Sequence, residues 1–437
     1  MQIKVEKMIY GGEGLGRLPA DDSGRGKTVF VPFVLPEEIA EVRAMETKPS
    51  FVRAEVVELT HASPKRIEPG CEYFGRCGGC QYQHTTYEEQ LKIKAEILRE
   101  TLARGAKLEL PVELQIHSAE PWHYRNRTRF KIQTSPGFAA GYHRNRSHQI
   151  LPVRHCPISS PLINRAITAM WEAGEHNEIA DSIREVQFFA DHDDQHALME
   201  IYAARELTRQ EFERVAVAIR GRVHEIVGVV AFEANRKSDE DETGPAESAS
   251  RGVLFGVGER SLTYRAANAD YKVSAGSFFQ TNRFLVDKLV SLAITDMQGS
   301  NAFDLYAGAG LFTVPLAANF ARLTAVEASP YSSADLTANA PKNVKCVRST
   351  TEDFLRTTGA RAELVLVDPP RAGLGEKAAQ ALGRMHASRV TYVSCDPSTL
   401  SRDLRVLLQS GFSVEQAHLV DLFPQTYHME SVFHLVR

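Results

Sequence analysis

Four apolar runs in the C-terminal part of the chain each end in a polar or reactive side chain: AFDLY (302–306), RLTAVE (322–327), ELVLVD (363–368) and RVTYVSC (389–395). Each is followed by a turn and a helical pattern. Unbroken apolar strands alternating with helices describe a parallel sheet covered on both faces, and such a sheet binds ligands at the carboxyl ends of its strands. The first run leads into a turn built on Gly308 and Gly310, and the second ends in Glu327, seventeen residues beyond Gly310. Glycines there let a cofactor approach the backbone, and an acid after the second strand can accept both ribose hydroxyls. That pair suits NAD or S-adenosylmethionine. The turn has no third glycine and no pyrophosphate cradle, which favours S-adenosylmethionine.

A chain of 437 residues exceeds one compact core and implies two to four domains. No run of eighteen apolar residues is present, so no membrane span is expected. MQIKVEKMIYGGEG lacks the apolar core of a signal peptide, which implies a cytoplasmic address. Up to about residue 64, short strand-like runs (KVEKMIY, TVFVPFV, IAEVRAM, RAEVVEL) are separated by Gly, Pro and polar turns, as in a small barrel. GGEGLGRL lacks dinucleotide-loop spacing and reads as a glycine-rich hairpin. A helix is expected over 86–104: Thr86 and Glu89 have capping-box spacing, Tyr87, Leu91, Leu98 and Leu102 share a face, and Gly105 follows as a stop. The polar, acidic stretch 236–252 reads as a surface loop.

The net charge of −4 makes no global case for nucleic acid. A local one exists. Between Pro121 and His155 there are seven Lys or Arg and no Asp or Glu, with aromatic residues interleaved. Arg125, Arg127, Arg129 and Lys131 alternate, so in an extended strand they would share one face able to neutralise phosphates. Cysteines supply a second local signal. Cys71, Cys77 and Cys80 form C-x5-C-x2-C, and Cys156 follows in RHCPI. In a reducing compartment this set suits a four-thiolate centre, either zinc or [4Fe–4S], and spacing alone does not choose between them. Cys346, in NVKCVRS, reads as a core residue. Cys395 stands just past its strand, between Ser394 and Asp396, where a thiol is presented rather than packed.

These motifs, in this order, resemble the RNA uracil-C5 methyltransferases, which make 5-methyluridine in tRNA or rRNA. The resemblance runs nearly end to end: an N-terminal TRAM-like barrel, CEYFGRCGGCQYQHTTYEEQLKIK with a later CPI, then GSFFQTN, DLYAGAGLFTVPLA, VDPPRAGL, VSCDPSTLSRDL and FPQTYHMESVFHL. It implies a multidomain α/β protein: a TRAM barrel over 1–64, a central iron–sulfur domain with the basic stripe over 65–268, and a Rossmann-like S-adenosylmethionine-dependent domain over 269–437 on which the helix 86–104 packs. It also implies a [4Fe–4S] cluster on Cys71, Cys77, Cys80 and Cys156. S-adenosylmethionine would meet Gln280, Tyr306, Glu327 and Asp368, with Cys395 as nucleophile and Glu430 as the base that removes the C5 proton. The partner implied is RNA, not DNA or membrane, and the protein a monomer. The chain departs from the family's pattern at Ala307, where a cysteine is common, and at Leu311, where some members have Asn. Asp353 has no motif to fix it near the adenine.

The residue types fit the chemistry. Uracil C5 becomes nucleophilic once a thiolate has added to C6, and a base must then take the C5 proton so that the thiolate can leave. Asp396 would oppose thiolate formation if its charge faced the sulfur, so it is expected to turn away. An RNA cytosine-C5 methyltransferase would carry a second cysteine in the Asp-Pro-Pro region, and VDPPRAGL has none. A non-catalytic iron–sulfur RNA-binding protein would have no use for Cys395 with Glu430. An NAD oxidoreductase would leave the basic stripe idle.

Overall fold

The structure, a computed structural model, describes residues 1–18, 26–204, 206–234 and 252–437. The acidic stretch expected to form a loop lies outside these residues, apart from Gly252. At the N-terminus β1 (Gln2–Ile9), β2 (Glu13–Arg17), β3 (Thr28–Pro32), β4 (Ile39–Thr47) and β5 (Phe51–His61) close into a barrel in the order β1-β2-β3-β5-β4. Alternate residues such as Ile3, Val5, Val29, Val31, Val42 and Val52 fill its interior. The glycine-rich hairpin is present, turning β1 into the antiparallel β2, a strand which the apolar pattern did not reveal. Gly16 is needed there because a Cβ would sit 2.6 Å from the Lys4 carbonyl oxygen.

Helix α1 (Tyr87–Gly105) begins at Thr86, whose hydroxyl accepts the Glu89 N–H. Its buried stripe is Gln90, Ile93, Lys94, Ile97, Leu98 and Leu102, so it is centred away from Leu91. Gly105 closes the helix as its last residue rather than stopping it from outside, and its missing Cβ makes room for Ser401 of α9 (Pro397–Gln409). The chain then forms β6 (Leu114–His117), β7 (Arg127–Gln133), β8 (Ala139–His143), β9 (Ile150–Pro152), α2 (Pro161–Glu175), β10 (Ile183–Ala190), β11 (Ala197–Ala203), α3 (Arg209–Arg222), β12 (Ile226–Glu233) and β13 (Val253–Gly258). Seven of these strands make one sheet, in the order β13-β12-β11-β10-β7-β8-β9. Helices α2 and α3 cover the Phe130, Val186 and Met199 face. The other face, through Phe189, Leu198, Tyr202 and Phe232, joins the core of the next domain.

That second face carries the basic stripe, and it is not a free surface. Arg125 precedes β7 and does not share its register. Arg127 is only 6% exposed; it donates to the Ser277 carbonyl at 2.7 Å and lies 4.0 Å over the Phe189 ring. Arg129 lies over Tyr202, and both Arg129 and Lys131 pair with Glu185. Alternation places these cations on one face, as expected. Neighbouring strands then fill that face with acids and rings, so it ties two domains together instead of presenting a phosphate track.

The hairpin β14 (Ser261–Ala266) and β15 (Ala269–Ser274) spans the junction drawn at 268/269. Beyond it come α4 (Val286–Ile294), β16 (Gly299–Leu305), α5 (Thr313–Ala317), β17 (Phe320–Glu327), α6 (Pro330–Asn339), β18 (Val344–Arg348), α7 (Thr351–Thr357), β19 (Ala362–Val367), α8 (Gly375–Arg384), β20 (Ala387–Ser394), α9, β21 (Ser413–Val420) and β22 (Glu430–Val436). They form an eight-stranded sheet in the order β18-β17-β16-β19-β20-β22-β21-β6. Strands β16 to β20 are parallel and β22 is antiparallel to both its neighbours. The edge strand β6 precedes the central sheet in the chain, so this eight-stranded sheet is assembled from two separated segments. Among the described residues no helix is long and apolar enough to cross a membrane.

One buried ion pair fastens α1 to this sheet. Lys94 Nζ lies 2.6 Å from Asp421 Oδ1 and 2.9 Å from the Phe423 carbonyl, with both charged side chains fully buried. Removing one partner strands the other charge. Lys94→Met should therefore cost about 3–5 kcal/mol in denaturant titrations. Lys94→Met with Asp421→Leu should recover most of that loss, and no recovery would mean the pair is not what anchors the helix.

Candidate active site

The strand order reverses between β16 and β19, where the crevice of a doubly wound sheet opens. At its rim a cavity of about 270 Å³ is lined by Tyr306, Val326, Glu327, Ala328, Ser349, Thr350, Thr351, Glu352 and Leu374. Glu327 accepts the Gly308 N–H at 2.9 Å and the Ser329 N–H at 2.6 Å, which fixes its carboxylate at the cavity wall. A carboxylate has about four acceptor sites, so two remain for hydroxyl donors. Tyr306 holds φ at 64°, the left-handed region, as the chain leaves β16. Two of the expected cofactor contacts thus share this cavity.

The other two lie elsewhere. Gln280 is buried, its carbonyl accepting from Asn126 Nδ2 at 3.3 Å, and is not part of the cavity lining. Asp368 follows β19, and its charge bears on Asp304, Cys395 and Glu430. Asp353 is exposed, donates its N–H to Thr350, the N-cap of α7, and pairs with Arg356; its neighbour Glu352 lines the cavity instead. Ala307 is buried against Ala325 and Leu336. Leu311 is an apolar core residue whose carbonyl accepts the Tyr271 hydroxyl.

Cys395 and Glu430 are brought together by strand pairing. The register of β20 on β22 ends at Ser394 opposite Ser431, so Cys395 and Glu430 are the adjoining residues of the two strands, near enough for the Glu430 charge to bear on the thiol. Burial pushes the Cys395 thiol well above its usual range, and the charges of Glu430 and then Asp368 push the same way. Asp396 counts less than either. Its Oδ1 is turned into the first turn of α9, accepting the Ser398 and Thr399 N–H groups at 2.9 Å each. Glu430 is itself raised well above the ordinary carboxyl range, first by burial and then by Asp368, and its Oε1 is buried without a hydrogen-bond partner. Burial also lifts Asp368 to about 7. Asp304 likewise stands at about 7, through burial and the Asp368 and Glu327 charges, with the Thr313 hydroxyl working in the opposite direction.

Arg371 opposes these acids. Its charge lowers both Cys395 and Glu430. Its carbonyl accepts the Thr399 hydroxyl at 3.0 Å beside the Cys395 turn, and its Nη2 lies 3.2 Å from His428 Nε2 beside Glu430. Burial and the Arg371, Lys94 and Arg125 charges hold His428 well below its usual value, so the neutral ring accepts from the guanidinium. The motif reading assigned neither residue. The available signal was chemical: a thiol among carboxyls requires a cation nearby.

The four cysteines of the central domain are free thiols, and Cys77, Cys80 and Cys156 lie on or against its core. Burial raises Cys71 and lifts Cys77 to about 11, and the Cys156 charge acts on each in the same direction. Gly78 N–H donates to the His143 carbonyl, and Cys156 is bracketed by Asn164 through its N–H and carbonyl.

A family model described as tRNA (uracil-5-)-methyltransferase matches residues 86–437, and one for the TRAM domain matches residues 1–57. An uncharacterized RNA methyltransferase of Aquifex aeolicus is 32% identical over 444 residues, covering 99% of this chain and 97% of its own. One from Thermotoga maritima is 30% identical over 462 residues, covering 100% and 99%. The fold is similar to the crystal structure of Pyrococcus abyssi tRNA (uracil-54, C5)-methyltransferase in complex with S-adenosyl-L-homocysteine, with a TM-score of 0.75, 22% identity and 100% of both chains covered. With the matched model spanning the whole crevice from α1 to β22, this chain belongs to the tRNA (uracil-5-)-methyltransferase family, with an N-terminal TRAM domain.

Proposed function

We propose that this enzyme transfers the methyl group of S-adenosylmethionine to C5 of a uridine in tRNA or rRNA through a covalent bond from Cys395 to C6. The observation that carries the reading is the placing of Cys395 and Glu430 next to the paired Ser394 and Ser431, at the strand edge that also holds the Glu327 cavity. Glu327 and Tyr306 would hold the ribose side of S-adenosylmethionine, with Gln280 and Asp368 toward its reacting end. The ligand of the Pyrococcus neighbour is the demethylated form of that molecule.

In the reaction, the Cys395 thiolate forms the S–C6 bond and the C5=C6 electron pair moves to O4 as an enolate. C5 then takes the sulfonium methyl, and the sulfonium is released as a neutral thioether. Glu430, with its unpartnered Oε1, accepts the C5 proton; the C5=C6 bond re-forms and the thiolate is expelled. Arg371 offsets the carboxyl charges while the thiolate exists.

The central cysteines fit a structural [4Fe–4S] cluster. Arg125 is half-buried beside Cys156 and Cys80, its Nε buried and unpartnered, a cation suited to an anionic four-thiolate centre. Among the described residues no three His, Cys, Asp or Glu stand close enough for one metal ion.

Three outcomes test this reading. Cys395→Ala should abolish turnover and any protein–RNA adduct, whereas Glu430→Gln should accumulate an adduct that survives denaturing electrophoresis when RNA and S-adenosylmethionine are supplied. Wild-type turnover by Glu430→Gln would place the base elsewhere. Because both the thiol and the Glu430 carboxyl must be deprotonated and both are raised, the rate should climb with pH. Arg371→Gln should move that rise upward by about one unit, ~10-fold in rate at neutral pH; an unmoved profile would remove Arg371 from the site. Protein purified without oxygen should be brown, and Cys156→Ser should lose the colour together with RNA binding while S-adenosylmethionine affinity persists. A colourless preparation holding one zinc would overturn the cluster.

A further inference from the structure

The barrel reaches the mouth of the active site. Its first hairpin, between β1 and β2, carries Tyr10, which meets Tyr427 edge-on with ring centroids 5.4 Å apart at 84°. Tyr427 lies against His428 at 4.1 Å and 48°, and Arg371 closes the row with Nη2 3.2 Å from His428 Nε2. Tyr10 and Tyr427 each pack one side on the catalytic core and remain half-buried, while Arg371 is exposed.

The docking that makes this row is firmly built. Gly12 has φ +81°, and a Cβ there would sit 2.7 Å from Gln81 Cβ and 3.4 Å from Tyr427 Cβ. Met8 and Leu35 of the barrel are buried in the same core as α1 and α9. Lys7 pairs with Glu100 of α1, and Glu13 of β2 pairs with Arg146 of the central domain. Tyr10 is absent from the barrel's own core, so barrel packing does not account for its ring.

We infer that Tyr10, Tyr427 and His428, closed by Arg371, form a stacking platform for an unpaired RNA base next to the target uridine, so that the barrel supplies part of the substrate pocket. The inference rests on the uridine reading above. Taking one nucleotide out of a stack leaves its neighbour without a partner, and a row of rings ending in a guanidinium offers that neighbour a replacement without reading its identity. The Asp396 charge bears on the Tyr10 hydroxyl, which sets the row beside the turn that holds Cys395. A base on this row would therefore adjoin the one at the thiol.

The test uses full-length protein and in vitro transcripts of tRNA and rRNA fragments containing 5-fluorouridine, on which C5 carries no removable proton. Tyr10→Ala should weaken transcript binding about 10-fold, within the range for loss of one stacked base, and Tyr10→Phe should bind like wild type because stacking needs the ring and not the hydroxyl. Tyr427→Leu, which keeps apolar bulk, should show the same loss as Tyr10→Ala. S-adenosylmethionine binding by calorimetry and the pH dependence of Cys395 alkylation should stay unchanged in Tyr10→Ala. Wild-type affinity in both Tyr10→Ala and Tyr427→Leu, or equal losses in Tyr10→Phe and Tyr10→Ala, would overturn the platform. If wild-type protein traps the transcripts covalently while the variants bind normally, only the platform fails; if wild-type protein traps none, the uridine reading fails first.

Discussion

Everything at the site depends on one antiparallel pairing in a largely parallel sheet. Strands β16 to β20 deliver their last residues to one edge. A sixth parallel strand would have brought its first residue to the opposite edge, far from the thiol. Because β22 runs against β20, Glu430 at its start arrives where Cys395 leaves. Val390 and Val393, with Val432 and Leu435, are buried and lock the register. A slip of one residue would turn Glu430 to the other face of the sheet.

The strand ends were legible because the signals that mark them are local. A short apolar run, a glycine turn and an acid can be read within about ten residues, and Tyr306, Glu327, Asp368 and Cys395 all belong to such runs. What escaped depends on remote partners. The four residues of β6 are too short a run to mark a strand by their alternation, and their place at the sheet edge is decided by β21. The basic stripe shows the same limit. Period-two spacing put Arg127, Arg129 and Lys131 on a common face, but only Glu185, Phe189 and Tyr202 on adjoining strands determine whether that face meets water. Tyr10 sits in a glycine hairpin some 380 residues from Asp396 in sequence, and no motif links them.

The electrostatics of the crevice are as deliberate as its geometry. Asp304, Asp368 and Glu430 are gathered where water is scarce, and burial raises all three. Against them stands Arg371, anchored by its backbone on the Cys395 side and by its guanidinium on the Glu430 side. Burial that favours the protonated carboxyls weakens their repulsion of a thiolate. In the proposed reaction one acid must keep its proton while another receives one, and this group of raised carboxyls suits that demand.

The split origin of the catalytic sheet bears on how the molecule is made. Strand β6 pairs with β21, and His117 on one meets His418 on the other at a separation of 301 residues. During synthesis α1 and β6 emerge early, with an apolar helix face and an open strand edge that find their partners only after the whole central domain and most of the catalytic sheet have followed. Contacts of such long sequence separation form slowly and leave sticky surfaces exposed meanwhile. The barrel and central sheet, whose pairings are mostly closer in the chain, can fold during that wait and shelter α1. The closure of β21 onto β6 waits on the last strands to be made, so it comes at the same stage as the pairing of β22 with β20 that sets Glu430 near Cys395.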